Sequence, residues 1–236
     1  LLVLDHKNKT IRQLQIDRDT MTSVNVLGLF GNNAGSRVMQ ICLSHGYGMD
    51  RQERCQNSLR AVEGLLNCPE IELYMEVPLD AISTLNDLLG GVTVTLEDDF
   101  TAADPAMTKG ATLTLTGEQA VTLVRRRMDV ADGTNETRMT RQREFMDAAV
   151  PLIREKINES SGFITTMIDT LTPYVTTNMV RGRMINEINR AYHYEVEPVQ
   201  YLSGEHSIGE DGFVEFHADE QSIVDFVLDA FYTKKE

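Results

Sequence analysis

The chain has 236 residues, long enough to bury a sizeable core as one domain or as one domain with an appendage. Its formal net charge of -14 and its pI near 4.8 argue against broad electrostatic binding to nucleic acid or to an anionic membrane. Three cysteines (Cys42, Cys55 and Cys68) form no C-x-x-C pair, which argues against a structural zinc site. No apolar run approaches the roughly 20 residues that a transmembrane helix needs.

The first part of the chain predicts strands, an irregular segment and one short helix. Residues 1–5 and 10–16 read as two strands joined by a tight polar turn. Residues 20–50 are rich in glycine and asparagine and are predicted to be irregular. A short helix is predicted over 58–67 and a strand over 71–77.

The middle of the chain predicts three helices. Residues 79–91 predict a helix that ends in two glycines, followed by the alternating strand VTVTL. A second helix begins at TGEQAVTLVRRRM with Thr116 as its N-cap. A third is predicted to begin near Glu136 and to kink at Pro151.

The last part of the chain predicts further helices and two strands. Helical patterns cover 153–171 and 179–192, and strands are predicted over 194–202 and 213–218. A terminal amphipathic helix has five apolar side chains on one face: Ile223, Phe226, Val227, Ala230 and Phe231.

Strands that alternate with helices favour an α/β fold, which we expect to be a three-layer α/β/α sandwich with a central mixed sheet. No linker or repeat divides the chain, so we expect a single domain over residues 1–236. Its core should cover about residues 1–160, and residues 161–236 should form a helical and strand extension.

Arginines are concentrated in one short window of this acidic chain. Between residues 125 and 143 there is no lysine, and the arginines stand at 125, 126, 127, 138, 141 and 143. Arg138, Gln142, Phe145 and Ala149 are spaced i, i+4, i+7 and i+11, so they share one helical stripe whose apolar end should face the core. Arg138 and Gln142 should then point toward the interior.

These side chains also fall in the first turns of a predicted helix, where backbone N–H groups and the macrodipole favour an anion. The planar guanidinium group binds phosphate oxygens in pairs. The cluster therefore suggests a phosphate site. The alternative is a solvated charged face, and the residues alone leave both open. Nucleic acid is disfavoured, because stacking aromatic residues are absent here and the global charge is negative.

The segment Asp17-Arg18-Asp19-Thr20 follows a predicted strand and offers carboxylates to a divalent cation. The alternative is a turn with a helix-capping aspartate. Other chemistries are not indicated, because the chain has no G-x-x-x-x-G-K-[ST], G-x-S-x-G or H-E-x-x-H motif.

Four segments in this order resemble the LytR–CpsA–Psr family: QIDRDT, LLGGVTVTL, LTLTGEQAVTLVRRR and TRMTRQREF. The resemblance covers about residues 1–160. It implies a bacterial protein on the extracytoplasmic face of the membrane, held by a single N-terminal membrane helix that would precede this chain. It also implies a phosphotransferase that moves a glycopolymer, either teichoic acid or capsular polysaccharide, from a polyprenyl-pyrophosphate carrier to a peptidoglycan acceptor.

The resemblance further implies roles for individual residues. A set of arginines and one glutamine would bind the pyrophosphate: Arg18, Arg37, Arg125, Arg127, Arg138, Arg141 and Gln142. Arg126 and Arg143 lie off these motif positions and are expected to be ordinary surface residues. Asp19 would bind Mg²⁺, Arg18 would assist catalysis, and Asp19 or Asp129 would take the proton of the attacking hydroxyl. An apolar tunnel for the lipid would include Phe145, Met146, Ala149 and Phe163.

The chain departs from the family pattern at several positions. Asp17 replaces the proline of I-P-R-D-T, Leu123 replaces the tyrosine before V-R-x-R, and the K-I-N-x-A-Y loop appears only as QICLSHGYG. A further metal-binding aspartate of the family would precede residue 1. Two other functions therefore stay open: a regulatory wall protein that binds lipid phosphates without turnover, and a polyprenyl pyrophosphatase.

Overall fold

The computed structural model describes residues 1–67, 70–126, 130–131 and 133–232. The strands, in chain order, are β1 (Leu2–Asp5), β2 (Thr10–Gln15), β3 (Met21–Leu27), β4 (Asn33–Gln40), β5 (Met75–Glu76), β6 (Thr93–Thr95), β7 (Thr112–Thr114), β8 (Thr176–Thr177), β9 (Glu195–Tyr201), β10 (Gly204–Ile208) and β11 (Val214–Ala218). The helices are α1 (Arg51–Leu66), α2 (Leu79–Leu89), α3 (Gly117–Arg125), α4 (Asn135–Glu159), α5 (Phe163–Leu171), α6 (Arg181–Ala191) and α7 (Glu220–Phe231), and a 3₁₀-helix covers Ile41–Gly46.

The chain forms two compact units, each built from separate segments. The first contains Leu1–Met75, Thr176–Met179 and His193–Glu236. The second contains Glu76–Val175 and Val180–Tyr192. The C-terminal segment is thus part of the same unit as the N-terminal one, and the prediction of a single domain stays a prediction.

The first unit contains a mixed sheet. Strand β1 pairs antiparallel with β2, and β2 pairs parallel with β9, with Leu14 opposite Gln200. Leu14 packs in a core cluster with Leu66, Phe216 and Phe226. The predicted apolar face of α7 is confirmed, because Phe226 and Val227 are buried in this cluster and Ile223, Ala230 and Phe231 pack against it. The predicted α/β class with a mixed sheet is confirmed.

Residues 20–50 contain a β-hairpin, so the prediction of an irregular segment was wrong. Strands β3 and β4 pair antiparallel, with Val24 opposite Arg37. Val24 is buried and packs against Ile41 and Ala61, whereas almost all of β4 is exposed. The predicted strand over 71–77 is reduced to β5, and the predicted helix over 58–67 is longer at its start.

The second unit is formed around α2, α3 and α4. Helix α2 ends at Gly90, whose φ of 84° lies in the left-handed region that glycine tolerates, as predicted. Helix α3 begins with a capping box, in which Thr116 accepts from the Gln119 N–H and Gln119 accepts from the Thr116 N–H. Helix α4 is continuous through Pro151. None of the helices in the described part of the chain is long and apolar enough to cross a membrane.

Candidate functional site

The end of α3 and the beginning of α4 lie side by side in the second unit. The side-chain amide of Gln142 donates a hydrogen bond of 3.1 Å to the carbonyl of Val124, the residue before Arg125. Helix α4 begins after Thr134, whose hydroxyl accepts from the Thr137 N–H at 3.2 Å. The structure thus brings the last residue of α3, Arg125, to the turns of α4 that carry the other predicted phosphate ligands.

Arg141 is the buried arginine of this junction, with only 2% of its surface exposed. Its Nε lies 3.7 Å from Asp98 Oδ2 and donates to the Thr137 carbonyl at 3.3 Å. Its guanidinium carbon lies 5.3 Å from the centroid of the Phe100 ring. A buried cation of this kind is stable only with such compensation, so the second unit keeps a fixed positive charge at the start of α4.

The other predicted ligands of this junction are more accessible than Arg141. Arg125 is exposed, whereas Arg138 and Gln142 are half-buried. The guanidinium of Arg138 donates to the side-chain oxygen of Asn135 in the first turn of α4. The expected inward stripe is therefore centred on Arg141, Phe145 and Ala149 rather than on Arg138.

Arg126 was predicted to be an ordinary surface residue, as was Arg143, and both are half-buried. The Nε of Arg126 is buried, and no acceptor in the described ranges forms a hydrogen bond with it. The surface prediction is therefore wrong for Arg126, because part of its guanidinium is shielded from water. A buried donor of this type can be satisfied by an anionic ligand.

Carboxylates lie beside the buried arginine. Burial raises the pKa of the Glu144 carboxyl, and the negative charges of Glu97 and Asp98 raise this pKa further. Arg143 and Arg141 act in the opposite direction. Ionisation of Glu144 is therefore less favourable in the folded protein than in the unfolded chain.

The first unit contains a second polar cluster, at the end of β2. The Nε of Arg18 lies 3.3 Å from Asp19 Oδ1, and another guanidinium nitrogen lies 3.4 Å from the sulfur of Cys42. Asp17 lies 3.5 Å from the ring of His206 and accepts from the Asp19 N–H at 2.9 Å. Since the Thr20 N–H also bonds to the Asp17 carbonyl, the segment forms a hydrogen-bonded turn, but this turn leads into β3 and its aspartates cap no helix, unlike the alternative expected from the sequence.

The carboxylates of Asp17 and Asp19 fit a magnesium ion only in part. Among the described residues, no group of three or more histidine, cysteine, aspartate or glutamate side chains is arranged to hold a metal. Mg²⁺ is often bound by one or two carboxylates together with substrate phosphates and water, and the aspartates at 17 and 19, which share one turn, meet that lower requirement. The predicted role of Asp19 in metal binding stays a prediction.

Arg37 is exposed on β4 of the first unit. Arg127, Asp129 and Cys68, all singled out in the sequence, lie outside the described residues. Cys55 is buried in α1 and Cys42 is half-buried beside Arg18.

The residues predicted to line a lipid tunnel fall into two groups. Phe145 and Ala149 are fully buried in the core cluster of the second unit, and Phe163 packs against it. Met146 lies on the exposed side of α4, with 42% of its surface exposed, because it is one residue out of step with the buried stripe. Met146 therefore lies outside the apolar cluster that contains or contacts Phe145, Ala149 and Phe163.

Sequence reasoning missed the partners of the predicted arginines. Asp98 and Phe100 come from the run LEDDF directly after β6. An acidic run at a strand end was the signal that could have identified Asp98 as a partner. Neither His206 nor Cys42 carried any such signal, because their proximity to Asp17 and Arg18 depends on pairing between distant segments.

The model of the LytR_cpsA_psr family matches residues 1–227. The polyisoprenyl-teichoic acid–peptidoglycan teichoic acid transferase TagU of Bacillus mycoides is 28% identical over 189 residues, which are 79% of this chain and 55% of the relative. The chain thus spans about half the length of the curated relatives it matches.

Solved structures show the same fold. A crystal structure of a protein from Streptococcus agalactiae aligns with a TM-score of 0.79 and 19% identity, covering 100% of this chain and 80% of that one. TagT bound to LI-WTA aligns with a TM-score of 0.73 and 21% identity, covering 97% of this chain and 81% of that one. At these identities the likeness concerns the fold alone.

Proposed function

Because this chain belongs to the LytR–CpsA–Psr family, we propose that it is the catalytic part of a phosphotransferase that moves a glycopolymer from a polyprenyl-pyrophosphate carrier to peptidoglycan. The observation that carries the proposal is the buried Arg141, held at the start of α4 beside Arg138 and next to the end of α3. The named relatives are teichoic acid transferases, which favours teichoic acid over capsular polysaccharide as the glycopolymer.

The substrate class follows from the chemistry of the junction. A pyrophosphate carries several negative charges, and arginine forks together with helix N-terminal N–H groups complement them. Arg125 and Arg138 are accessible enough to contact the ligand directly, whereas Arg141 acts as a fixed charge behind them. Phe163, which is half-buried and packs against the core cluster, is the proposed apolar contact for the lipid, whereas Phe145 and Ala149 are fully buried in that core.

The reaction is a transfer between two oxygen nucleophiles. A sugar hydroxyl of the acceptor attacks the phosphorus linked to the glycopolymer, the bond from that phosphorus to the bridging oxygen breaks, and polyprenyl phosphate leaves. Negative charge accumulates on the leaving phosphate, and prearranged guanidinium groups stabilise it without reorganisation. The hydroxyl proton passes to a carboxylate, a role for which Asp19 and Asp129 stay predictions, as do the ligand roles of Arg18, Arg37 and Arg127.

Mg²⁺ is the proposed cofactor, and when bound it would neutralise phosphate charge. Asp19, with Asp17 next to it, would hold the ion together with phosphate oxygens. The proposed setting is the extracytoplasmic face of a bacterial membrane. Polymer and acceptor are both found there, and a preceding membrane helix would tether the protein.

The test uses the native-length protein with Mg²⁺, a polyprenyl-pyrophosphate-linked glycan and soluble peptidoglycan fragments. We expect glycan to be linked covalently to the fragments and polyprenyl phosphate to be released, with loss of both in Asp19→Ala. If lipid phosphate is released but water is the acceptor, the protein is a pyrophosphatase. If neither product forms while the lipid still binds, the protein is a binding module and the transfer proposal is wrong.

A further inference from the structure

The tip of the β3–β4 hairpin has an unusual turn. The Gly31 N–H donates to the Gly28 carbonyl at 3.0 Å, which makes Leu29 and Phe30 the two central residues of a β-turn. Glycine, proline, asparagine, aspartate and serine normally occupy such positions. Here two large apolar side chains stand at the outermost point of a hairpin whose outer strand is already exposed.

Both side chains are almost completely exposed, Leu29 at 93% and Phe30 at 89%. Gly31 has a φ of 76°, and a Cβ at this residue would come within 2.7 Å of the Met49 sulfur. Met49 itself is 69% exposed, so it adds a third apolar side chain beside the turn. Isolated exposed apolar residues are common, but a contiguous group at a protruding tip indicates an interaction surface.

Charge identifies the kind of partner. The stretch from Thr20 to Met49 contains no aspartate or glutamate, although the chain has 36 acidic residues, and it is the longest acid-free stretch of the sequence. Its charged side chain is Arg37. The rest of this acidic chain would be repelled by an anionic surface, whereas this hairpin would not be.

The charged residues directly after Met49 sum to zero net charge. Residues 50–54 contain Asp50, Arg51, Glu53 and Arg54, two of each sign. Both carboxylates accept backbone hydrogen bonds, Asp50 from Glu53 at 2.9 Å and Glu53 from Met49 at 2.8 Å. The neighbourhood of the tip is therefore close to neutral.

We propose that Leu29 and Phe30 insert into the headgroup region of a phospholipid bilayer. Apolar side chains at a membrane surface enter to a depth of roughly 5 to 10 Å, which suits a protruding turn better than a flat protein partner. Neutral flanks let the tip approach lipid phosphates that the remaining chain repels. The contact is additional to any tether that precedes the chain, and it does not depend on the transfer reaction.

The second hairpin of the same unit provides a matched control. Phe213 stands in the loop between β10 and β11 and is 66% exposed, but Glu210 and Asp211 precede it in the same loop. The bridge between Thr20 and Phe216 is parallel, so the tips of the two hairpins lie at opposite ends. A membrane that contacts one tip should not contact the other.

The test exploits the absence of tryptophan from the chain. Phe30→Trp and Phe213→Trp each place a single fluorophore at one tip, and each is titrated with vesicles of phosphatidylethanolamine and phosphatidylglycerol. We expect a blue shift of emission, and quenching by lipids brominated in the acyl chain, for Phe30→Trp alone. Absence of both changes at Phe30→Trp, or equal changes at the two positions, would overturn the proposal.

A second measurement uses vesicle co-sedimentation of the double variant Leu29→Ser/Phe30→Ser. Its partition coefficient should fall at least about tenfold, because two apolar side chains no longer leave water, and its circular dichroism should be unchanged. A coefficient equal to that of the unmodified chain would contradict insertion. So would a blue shift at Phe30→Trp that grows with protein concentration without vesicles, since a second copy of the chain would then cover the tip.

Discussion

The guanidinium of Arg141 lies over the ring of Phe100 at 5.3 Å, and both side chains are almost completely shielded from water. The same guanidinium has Asp98 Oδ2 at 3.7 Å from its Nε. An aromatic face and a carboxylate therefore fix a positive charge inside the second unit. This relationship makes the arginine cluster more than a solvated face, and it has a measurable energetic consequence.

Asp98→Asn should lower the free energy of unfolding by roughly 1 to 3 kcal/mol, because it leaves the buried Arg141 charge with less compensation. Urea denaturation at neutral pH measures this change. In the Arg141→Met background the same substitution should cost clearly less, since the charge is absent. An equal cost in both backgrounds would show that the two side chains are not coupled.

Arg125→Ala and Arg138→Ala should each weaken binding of a soluble prenyl pyrophosphate by roughly 1.5 to 3 kcal/mol, the scale of a hydrogen bond to a charged group. Titration calorimetry measures the affinity. Arg190→Ala, at an exposed position of α6 in the same unit, removes the same charge and serves as the control. If all three variants lose the same affinity, only the net charge matters and the junction is not a phosphate site.

Glu144→Gln should stabilise the protein at pH 7. The folded-state pKa of Glu144 is raised above its unfolded value by burial and by Glu97 and Asp98, so ionisation costs the folded state free energy at pH values above that raised pKa. As the pH falls through the raised pKa, Glu144 of the wild type becomes protonated and the free-energy cost of its charge decreases. The difference in free energy of unfolding between variant and wild type should therefore decrease as the pH falls, and it should vanish below the ordinary carboxyl pKa.

Denaturant unfolding at several pH values measures this difference. Asp147→Asn removes the same charge from an exposed position of α4. If it stabilises the protein as much as Glu144→Gln does, lower net charge is the cause, and local repulsion around Glu144 is not.

Asn86→Ala should lower the free energy of unfolding by about 2 to 4 kcal/mol. Asn86 is 1% exposed, donates to the Leu115 carbonyl at 2.8 Å and accepts from the Val92 N–H at 2.9 Å. Both backbone groups would be left unsatisfied in the core. Asn189→Ala removes an exposed amide that donates to the Ile185 carbonyl within α6, and it should change stability little; comparable losses in the two variants would contradict the structural role of Asn86.

The helices could largely be predicted from the sequence, because capping and periodicity are local. Thr116 and Gln119 mark the beginning of α3, and Gly90 marks the end of α2. The β3–β4 hairpin was missed because almost every residue of β4 is exposed, so its sequence lacks the alternation of apolar and polar residues that indicates a strand. Glycine and asparagine near the tip are also typical of irregular loops. Strand β10 was missed for the same reason, since each of its residues is exposed.

The candidate site could be predicted in kind but not in detail. The sequence predicted that the arginines of α3 and α4 form the site. It placed Arg138 on the buried face of α4, whereas the structure places Arg141 there. The register of a helix against its neighbours decides which of two adjacent stripes is buried, and periodicity alone cannot distinguish them. Asp98 and Phe100 join Arg141 from another segment of the chain, and that proximity has no local signature.

The division of the chain also sets an order of events during synthesis. All residues of the second unit have been made once Tyr192 leaves the ribosome, whereas β2 must wait for β9, and the core around Leu14 waits for α7. Loop-closure entropy makes such distant pairings slow. Strands β1 and β2 therefore emerge before the second unit but complete their sheet after it has been made, with β2 presenting an unpaired edge throughout that interval.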